Sequence, residues 1–328
     1  MVQTIQDSIV KIVLILMKEA FVPYLLLTLA ALFWGGNYVV GHILVSGADP
    51  VILTEARWAI TAVLLMTLYR KQIIASQALL THSLPVVVYL SIFGQVLFPL
   101  TLYIGLQYTS SLNAAIYMSA TPCMVLLINK IIFRDYISKN NLLGVILSTM
   151  GVIYLVLKGQ LTNIHAFRDL NQGDLWTMGS ALSWAFYCSF LRKKDKRIPG
   201  NAFVAVSSLI GAVILIPILI IYAQIQRHIE LSSYHHMFFL AGLAYLVFFP
   251  SWLSYVFWNR GIAEIGATRG EIYTHIIPLS GGVLSVIFLK TELRPFHVIS
   301  AVFIILGIWF CSKKQHARIT KVSLPLNK

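Results

Sequence analysis

Charged residues are scarce in this sequence. They make up 11% of its 328 residues, whereas a soluble globular domain carries about 25%. Hydrophobic residues make up 58% of the chain. A soluble fold of this length could not keep that much apolar surface away from water, so lipid must be the solvent over much of it. The composition therefore excludes an ordinary soluble protein and indicates an integral membrane protein.

Cysteine and the common catalytic motifs are also rare or absent. Cys123, Cys188 and Cys311 lie in or beside apolar runs and form no CxxC pair, which argues against a disulfide framework and a zinc site. The sequence has no phosphate-binding GxxxxGK[S/T] loop, so direct coupling to ATP is not expected. It also has no GxSxG or HExxH motif. We therefore expect neither a cofactor, nor a metal, nor an enzymatic activity.

Long apolar runs are what the sequence does contain. Crossing a bilayer as a helix takes about 20 apolar residues, and helices are favoured because unpaired backbone groups are costly in hydrocarbon. Ten runs of suitable length predict an all-α integral membrane protein with ten transmembrane helices. They cover residues 22–44, 51–69, 84–106, 111–133, 141–158, 174–191, 202–223, 236–259, 268–289 and 296–312.

Basic residues predict the orientation of these helices. The net charge of the chain is +13. No nucleic-acid partner is expected, because the lysines and arginines are spread over short loops and are not clustered. With a cytoplasmic N-terminus, nineteen basic residues fall inside and five outside, and Arg57 lies within a span. Cytoplasmic loops are enriched in lysine and arginine. We therefore predict a multi-pass protein of the cytoplasmic (inner) membrane with both termini inside.

The two halves of the chain resemble each other. An offset of 156 residues aligns Gly105 with Gly261, Tyr117 with Tyr273, Pro122 with Pro278 and Gly151 with Gly307, and an offset of 150 aligns Trp34 with Trp184. Each half holds five predicted spans, and an odd number means that the second copy crosses the membrane in the opposite sense. Inverted repeats of this kind are typical of secondary transporters, which bind substrate near the midplane between the halves.

Several ordered motifs resemble the EamA-type branch of the drug/metabolite transporter superfamily. They are LFWGGN at 32–37, Pro50 followed by Glu-Ala-Arg-Trp at 55–58, and the segments 105–122, 173–193 and 261–293. The resemblance implies two inverted five-helix repeats around a central cavity that carries small organic solutes. On this basis we expect an N-terminal extension (1–21), a first repeat (22–158), an external loop (159–173), a second repeat (174–312) and a basic cytoplasmic tail (313–328).

Polar and aromatic side chains within the predicted spans are the candidates for a substrate cavity. They are Trp34, Asn37, Tyr38, Arg57, Gln95, Tyr117, Trp184, Tyr187, Tyr255, Tyr273 and His275. Each type could instead serve helix packing, and some of the aromatic residues could belong to the interfacial belt.

Three ionisable side chains leave alternatives open. Arg57 lies deep in the second span, where a charge is costly and normally has a partner. It could tie helices together through carbonyl groups or Glu55, contact substrate, or extend to the outer interface. Glu271 fits a capping box that begins at Thr268, and it could also take part in proton coupling. His275 follows one turn later on the same face, so it is a second candidate for coupling.

These features predict a secondary transporter that works by alternating access and exports a small organic metabolite such as an amino acid. A broad-specificity multidrug exporter is an alternative, and an intramembrane lipid-modifying enzyme is a weaker one because no catalytic cluster is evident. The expected partners are the small-molecule substrate and membrane lipid. The chain could act as a monomer or a homodimer.

Overall fold

The computed structural model of the protein describes residues 2–136, 138–160, 171–226, 232–265, 273–274 and 276–312. Over these ranges the chain forms helices joined by short connections, and they contain no β-strand. The prediction of an all-helical protein is confirmed. The predicted tail 313–328 and most of the predicted loop 159–173 lie outside the described residues.

The helices are numbered in chain order. Those of the first half are α1 (Val2–Val45), α2 (Pro50–Leu68), α3 (Arg70–Ala75), α4 (Gln77–His82), α5 (Leu84–Ser91), α6 (Phe98–Leu106), α7 (Ser111–Met118), α8 (Thr121–Phe133) and α9 (Lys139–Val156). Those of the second half are α10 (Gln172–Phe190), α11 (Gly200–Ile225), α12 (Met237–Leu246), α13 (Ser254–Ile265), α14 (Ile276–Leu289) and α15 (Pro295–Ser312). The predicted extension 1–21 is continuous with the first span, because α1 begins at Val2.

Short polar residues fix where several helices begin. The Asp49 carboxylate accepts hydrogen bonds from the backbone amides of Val51 at 2.8 Å and Ile52 at 3.4 Å, and Pro50 occupies the first turn of α2. Ser110 caps α7 and Asn171 caps α10 in the same way. These side chains satisfy amides that have no partner within the helix, so they set the start of each span locally.

Five described stretches are long and apolar enough to cross a membrane. They are Phe21–Val45, Pro50–Leu68, Leu84–Leu106, Gly200–Ile225 and Met237–Gly261. A sixth would be the pair Ser111–Met118 and Cys123–Phe133, which bends by 42°. Large apolar side chains such as Val63, Ile131 and Phe288 are 71%, 77% and 66% exposed, which suits a surface solvated by lipid. The protein is therefore a multi-pass membrane protein.

Small residues let two helix pairs approach closely. In the crossing of α9 and α15, a Cβ atom added to Gly307 would lie 2.5 Å from the carbonyl oxygen of Gly144. In the crossing of α6 and α10, a Cβ atom added to Gly105 would lie 2.9 Å from the carbonyl oxygen of Gly173. Glycine is thus required where backbone meets backbone, as is common in helix packing within membranes.

Two long helical stretches contain a π-helical segment. Ile92–Leu97 joins α5 to α6, and Val247–Leu253 joins α12 to α13. Pro250 lies within the second segment and lacks a backbone N–H, so it cannot continue the normal hydrogen-bond ladder. Segments of this kind free backbone carbonyls inside a helix and often occur at functional sites.

Candidate functional site

Arg57 is the centre of a buried hydrogen-bond network. Its Nε donates to Ser251 Oγ at 2.6 Å, and its Nη1 donates to Asn37 Oδ1 at 3.0 Å and to Tyr103 Oη at 2.6 Å. The Tyr103 hydroxyl also donates to Asn37 Oδ1 at 2.9 Å. With 2% of its surface exposed, Arg57 does not extend to an interface. The network connects α1, α2, α6 and the second π-helical segment.

The π-helical segment Val247–Leu253 positions two of these contacts. Ser251 Oγ donates to the carbonyl of Leu246 at 2.8 Å, which orients its lone pairs toward Arg57. The carbonyl of Pro250 accepts a hydrogen bond from Trp34 Nε1 at 2.9 Å. The irregular helix therefore holds both the guanidinium and one aromatic ring in place.

A small cavity lies beside the network. Its volume is about 20 Å³, which is enough for about one water molecule. Its walls are formed by Trp34, Asn37, Tyr38, Arg57, Phe98, Met118, Trp184, Tyr255 and Ile277. Six predicted site residues therefore line one cavity, and Arg57 is the one charged side chain among the described lining residues.

Aromatic rings form the wall opposite the guanidinium. The Trp34 ring lies 6.0 Å from Trp184 and 5.5 Å from Tyr255, in edge-to-face arrangements. Tyr187 stacks on the other side of Trp184 at 4.8 Å, so it supports the wall without lining the cavity. Such pairs favour a defined ring geometry while presenting apolar surface to a ligand.

The structure places three other predicted site residues away from this cavity. Gln95 is fully buried in the first π-helical segment against Gly211, and neither atom of its side-chain amide has a partner among the described residues. The Tyr117 hydroxyl interacts with the Asp174 carboxylate near the start of α10. The Tyr273 ring lies 6.0 Å from that of Tyr24.

Two predicted residues lie outside the described part of the chain, and two residues of the Arg57 network were not predicted from the sequence. Glu271 and His275 lie outside the described residues. Tyr103 and Ser251 were not predicted, although both contact Arg57 directly. The available signals were a tyrosine within the third span and a serine after Pro250.

In the described ranges, no three His, Cys, Asp or Glu side chains come together as a metal site would require.

The position of Glu55 shows whether its carboxylate is the partner of Arg57. The Glu55 Oε2 atom is buried and makes no hydrogen bond to any described residue. Arg57 instead contacts neutral oxygens on three other helices. Among the described residues, carboxylates pair with other cations and not with this guanidinium.

The chain is similar to proteins from several organisms. It is 27% identical over 286 residues to the uncharacterized transporter YyaM of Bacillus subtilis, covering 87% of this chain and 92% of that protein. It is 25% identical to the uncharacterized transporter YetK of the same organism over 310 residues, covering 92% and 90%. An uncharacterized transporter of Archaeoglobus fulgidus is 24% identical, covering 89% and 98%.

The fold and the family are both supported by comparison. A solved crystal structure superposes with a TM-score of 0.58 at 16% identity, covering 88% of this chain and 95% of that one. It shares the fold. The model of the EamA-like transporter family matches residues 22–157 and again 171–313. Taken with the Arg57 network and its adjoining cavity inside a helical membrane protein, these matches establish that the chain belongs to the EamA-like transporter family, within the drug/metabolite transporter superfamily.

Proposed function

We propose that the protein is a secondary transporter that exports a small organic metabolite, such as an amino acid, across the cytoplasmic membrane by alternating access. One observation carries the proposal: side chains from both halves of the chain enclose one buried cavity around Arg57. A cavity of about 20 Å³ cannot hold a metabolite. The described conformation is thus a closed one, and the solute site forms when helices of the two halves move apart.

The proposal includes ten spans arranged as two inverted repeats, 22–158 and 174–312. The π-helical segments Ile92–Leu97 and Val247–Leu253 support it, because their last residues are separated by the 156-residue offset that aligns the halves. Arg134 after α8 and Lys290 after α14 show the same separation, and both adopt a left-handed backbone conformation, with φ of 58° and 51°. Non-glycine residues rarely adopt this conformation.

Close helix contacts also occur in matching pairs. A Cβ atom added to Gly151 would lie 2.9 Å from the carbonyl of Ser300, and one added to Gly307 would lie 2.5 Å from that of Gly144. Gly151 and Gly307 are 156 residues apart, and so are the two residues whose carbonyls they approach, Gly144 and Ser300. Equivalent contacts on opposite sides of a helix crossing are what a two-fold axis in the membrane plane would produce. They support a fold in which the two halves rock against each other.

The uneven distribution of basic residues supports cytoplasmic termini. The short described cytoplasmic segment between α10 and α11 holds five basic residues at positions 192–194, 196 and 197. In this segment Asp195 accepts hydrogen bonds from Arg197, which lower the pKa of the carboxyl group to about 2. Removal from water lowers the pKa of Lys194. Basic loops of this kind are retained on the cytoplasmic side.

A flux assay tests the proposal. The purified full-length chain is reconstituted into liposomes, and radiolabelled amino acids are tested in counterflow, with and without an imposed pH gradient. We expect protein-dependent exchange of a narrow set of solutes. Absence of exchange across a broad panel would contradict transport, and equal exchange of chemically unrelated drugs would favour a multidrug exporter.

Coupling to protons is tested in the same system. Glu271 and His275 remain the predicted coupling residues. If they couple transport to protons, Glu271→Gln and His275→Ala should abolish the response to the pH gradient while exchange at equal pH persists. A response that survives both substitutions would place the coupling elsewhere.

A further inference from the structure

We infer that the solute carries a carboxylate, which the guanidinium of Arg57 binds, and an apolar or aromatic body, which packs against the rings of Trp34 and Trp184 that line the cavity. The inference rests on the proposed transport function and defines the chemical class of its substrate. The multidrug alternative, which includes organic cations, is disfavoured by the same geometry.

The first step is the charge of the site. Arg57 has 2% of its surface exposed, and the guanidinium group of arginine is cationic in proteins. Its described acceptors are the neutral oxygens of Asn37, Tyr103 and Ser251. A buried charge without an opposite charge among the described residues is unfavourable, so these residues give the site a positive potential. An anionic ligand removes this cost, whereas a cationic ligand increases it.

The second step is the geometry of the guanidinium. Nε and Nη1 are held by the three neutral partners, and Nη2 has no acceptor among the described residues. Arg57 also lines the cavity. A carboxylate oxygen entering the cavity can therefore accept from the unused N–H groups without breaking the network. Arginine is suited to this role because its five N–H donors allow Nε and Nη1 to hold neutral partners while Nη2 donates to an anion.

The third step is the remainder of the cavity wall. Phe98, Met118 and Ile277 are apolar, and Trp34, Trp184 and Tyr255 present aromatic rings. No carboxylate of a described residue belongs to this lining, so the described groups that a solute's ammonium could meet are aromatic rings, tyrosine hydroxyls and the Asn37 oxygen. Aromatic faces can accept an ammonium group, but they do not require one. The carboxylate is therefore the obligatory feature, and an α-amino group is optional.

A matched set of four ligands tests the inference on the wild-type chain. Phenylalanine carries both groups, 3-phenylpropionate lacks the amine, phenylalaninamide lacks the carboxylate charge, and phenethylamine lacks the carboxyl group. Binding is measured as the increase in unfolding temperature of the detergent-solubilised protein, because a ligand that binds only the folded state stabilises it. We expect stabilisation by the two carboxylates at concentrations at least about 30-fold lower than by the amide or the amine, the loss typical of removing one partner from a buried charge pair.

Variants connect this preference to Arg57. Arg57→Gln should lose the preference for carboxylates, and Arg57→Lys should keep the preference with weaker binding, because the charge remains but the planar guanidinium with its five donors is lost. Arg294→Gln is the control for loss of one positive charge, since Arg294 is exposed and paired with Glu292 outside the site. If Arg57→Gln does not fold, Arg57→Lys and the wild-type ligand series still decide the question.

Each outcome separates the inference from the proposed function. Discrimination in binding without flux in liposomes would contradict transport but keep the carboxylate site. Flux of phenethylamine equal to that of phenylalanine would keep transport and overturn the carboxylate site. Protection by chloride or phosphate as strong as that by 3-phenylpropionate would also overturn it, because the site would then recognise charge alone.

Discussion

The crossing of α9 and α15 leads to a quantitative prediction for Gly307→Ala. The added Cβ atom would lie 2.5 Å from the carbonyl oxygen of Gly144 and 2.7 Å from the backbone nitrogen of Ser148. Both are backbone atoms of α9, so neither can rotate away. Reaching even the tightest ordinary contact distances of 3.0–3.4 Å requires the helices to separate by several tenths of an ångström.

A matched glycine isolates the cost of this separation. A Cβ atom added to Gly179 on α10 would meet nothing within 4 Å. Replacing a mid-helix glycine by alanine favours the helix by about 1 kcal/mol in both variants. That contribution cancels when Gly307→Ala is compared with Gly179→Ala. The difference between the two free energies of unfolding is then the overpacking cost, about 1–3 kcal/mol.

The assay is reversible unfolding of the purified chain in mixed micelles, followed by tryptophan fluorescence as the denaturing detergent is increased. Gly151→Ala should fall between the other two variants, because one of its nearest atoms is the flexible Ile304 Cγ1 at 2.8 Å. Equal unfolding midpoints for Gly307→Ala and Gly179→Ala would show that the two backbones are not in contact, and the crossing described above would be wrong.

Three further predictions concern single side chains. Asp49→Ala should lower the free energy of unfolding by about 1–2 kcal/mol, because the N-cap of α2 and a hydrogen bond from Tyr222 are lost; Asp49→Asn should restore most of it in the same assay. Tyr103→Phe should cost about 1–3 kcal/mol, since Arg57 and Asn37 each lose a buried partner, and an unchanged midpoint would argue against the network. Because the pKa of Asp195 is lowered to about 2, any stabilisation it provides is present above its ordinary pKa of 3.8 and is lost as pH falls through the folded value; the difference in stability between wild type and Asp195→Asn should therefore shrink between pH 4 and pH 2.

Helix boundaries could be predicted from sequence where local chemistry sets them. The run predicted at 84–106 coincides with the stretch Leu84–Leu106, and the run predicted at 51–69 differs by one residue from α2 at Pro50–Leu68. Asp49 and Pro50 are adjacent, and their effect on a helix start is local. Composition and capping were therefore sufficient for these elements.

Interruptions inside helices were not predicted. The continuous runs 84–106 and 111–133 gave no indication that α7 ends at Met118 and α8 begins at Thr121, nor that six residues from Ile92 to Leu97 form a π-helical segment. Side chains from other helices contact the irregular segments. One example is Trp34 on α1, whose Nε1 donates to the carbonyl of Pro250 in the second π-helical segment. Periodicity along a single helix contains no information about such a partner.

In the candidate site, too, some residues could be predicted from the sequence and others could not. Arg57, Asn37 and Trp34 could be identified because polar or amphipathic groups deep in an apolar run are costly without a function or a partner. Their partners could not. Ser251 is 194 residues from Arg57 along the chain, and serine is too common in membrane helices to stand out. The sequence thus indicated which groups need compensation, and only the tertiary structure identified the atoms that provide it.

The proposed repeat allows the residues of the site to be compared with those at the corresponding positions of the other half. At the offset of 150 residues, the position of Arg57 corresponds to Ser207 on α11, and at 156 the position of Ser251 corresponds to Gln95. Arg57 binds Ser251, whereas Ser207 donates to the carbonyl of Val204 at 3.1 Å and Gln95 has no described partner. In the proposed repeat, the positions that correspond to Arg57 and Ser251 therefore carry no charge in the other half. A solute held by its carboxylate keeps that end on the α2 side whichever face of the membrane the site opens to, so alternating access can exchange the surroundings of the solute without turning the solute over.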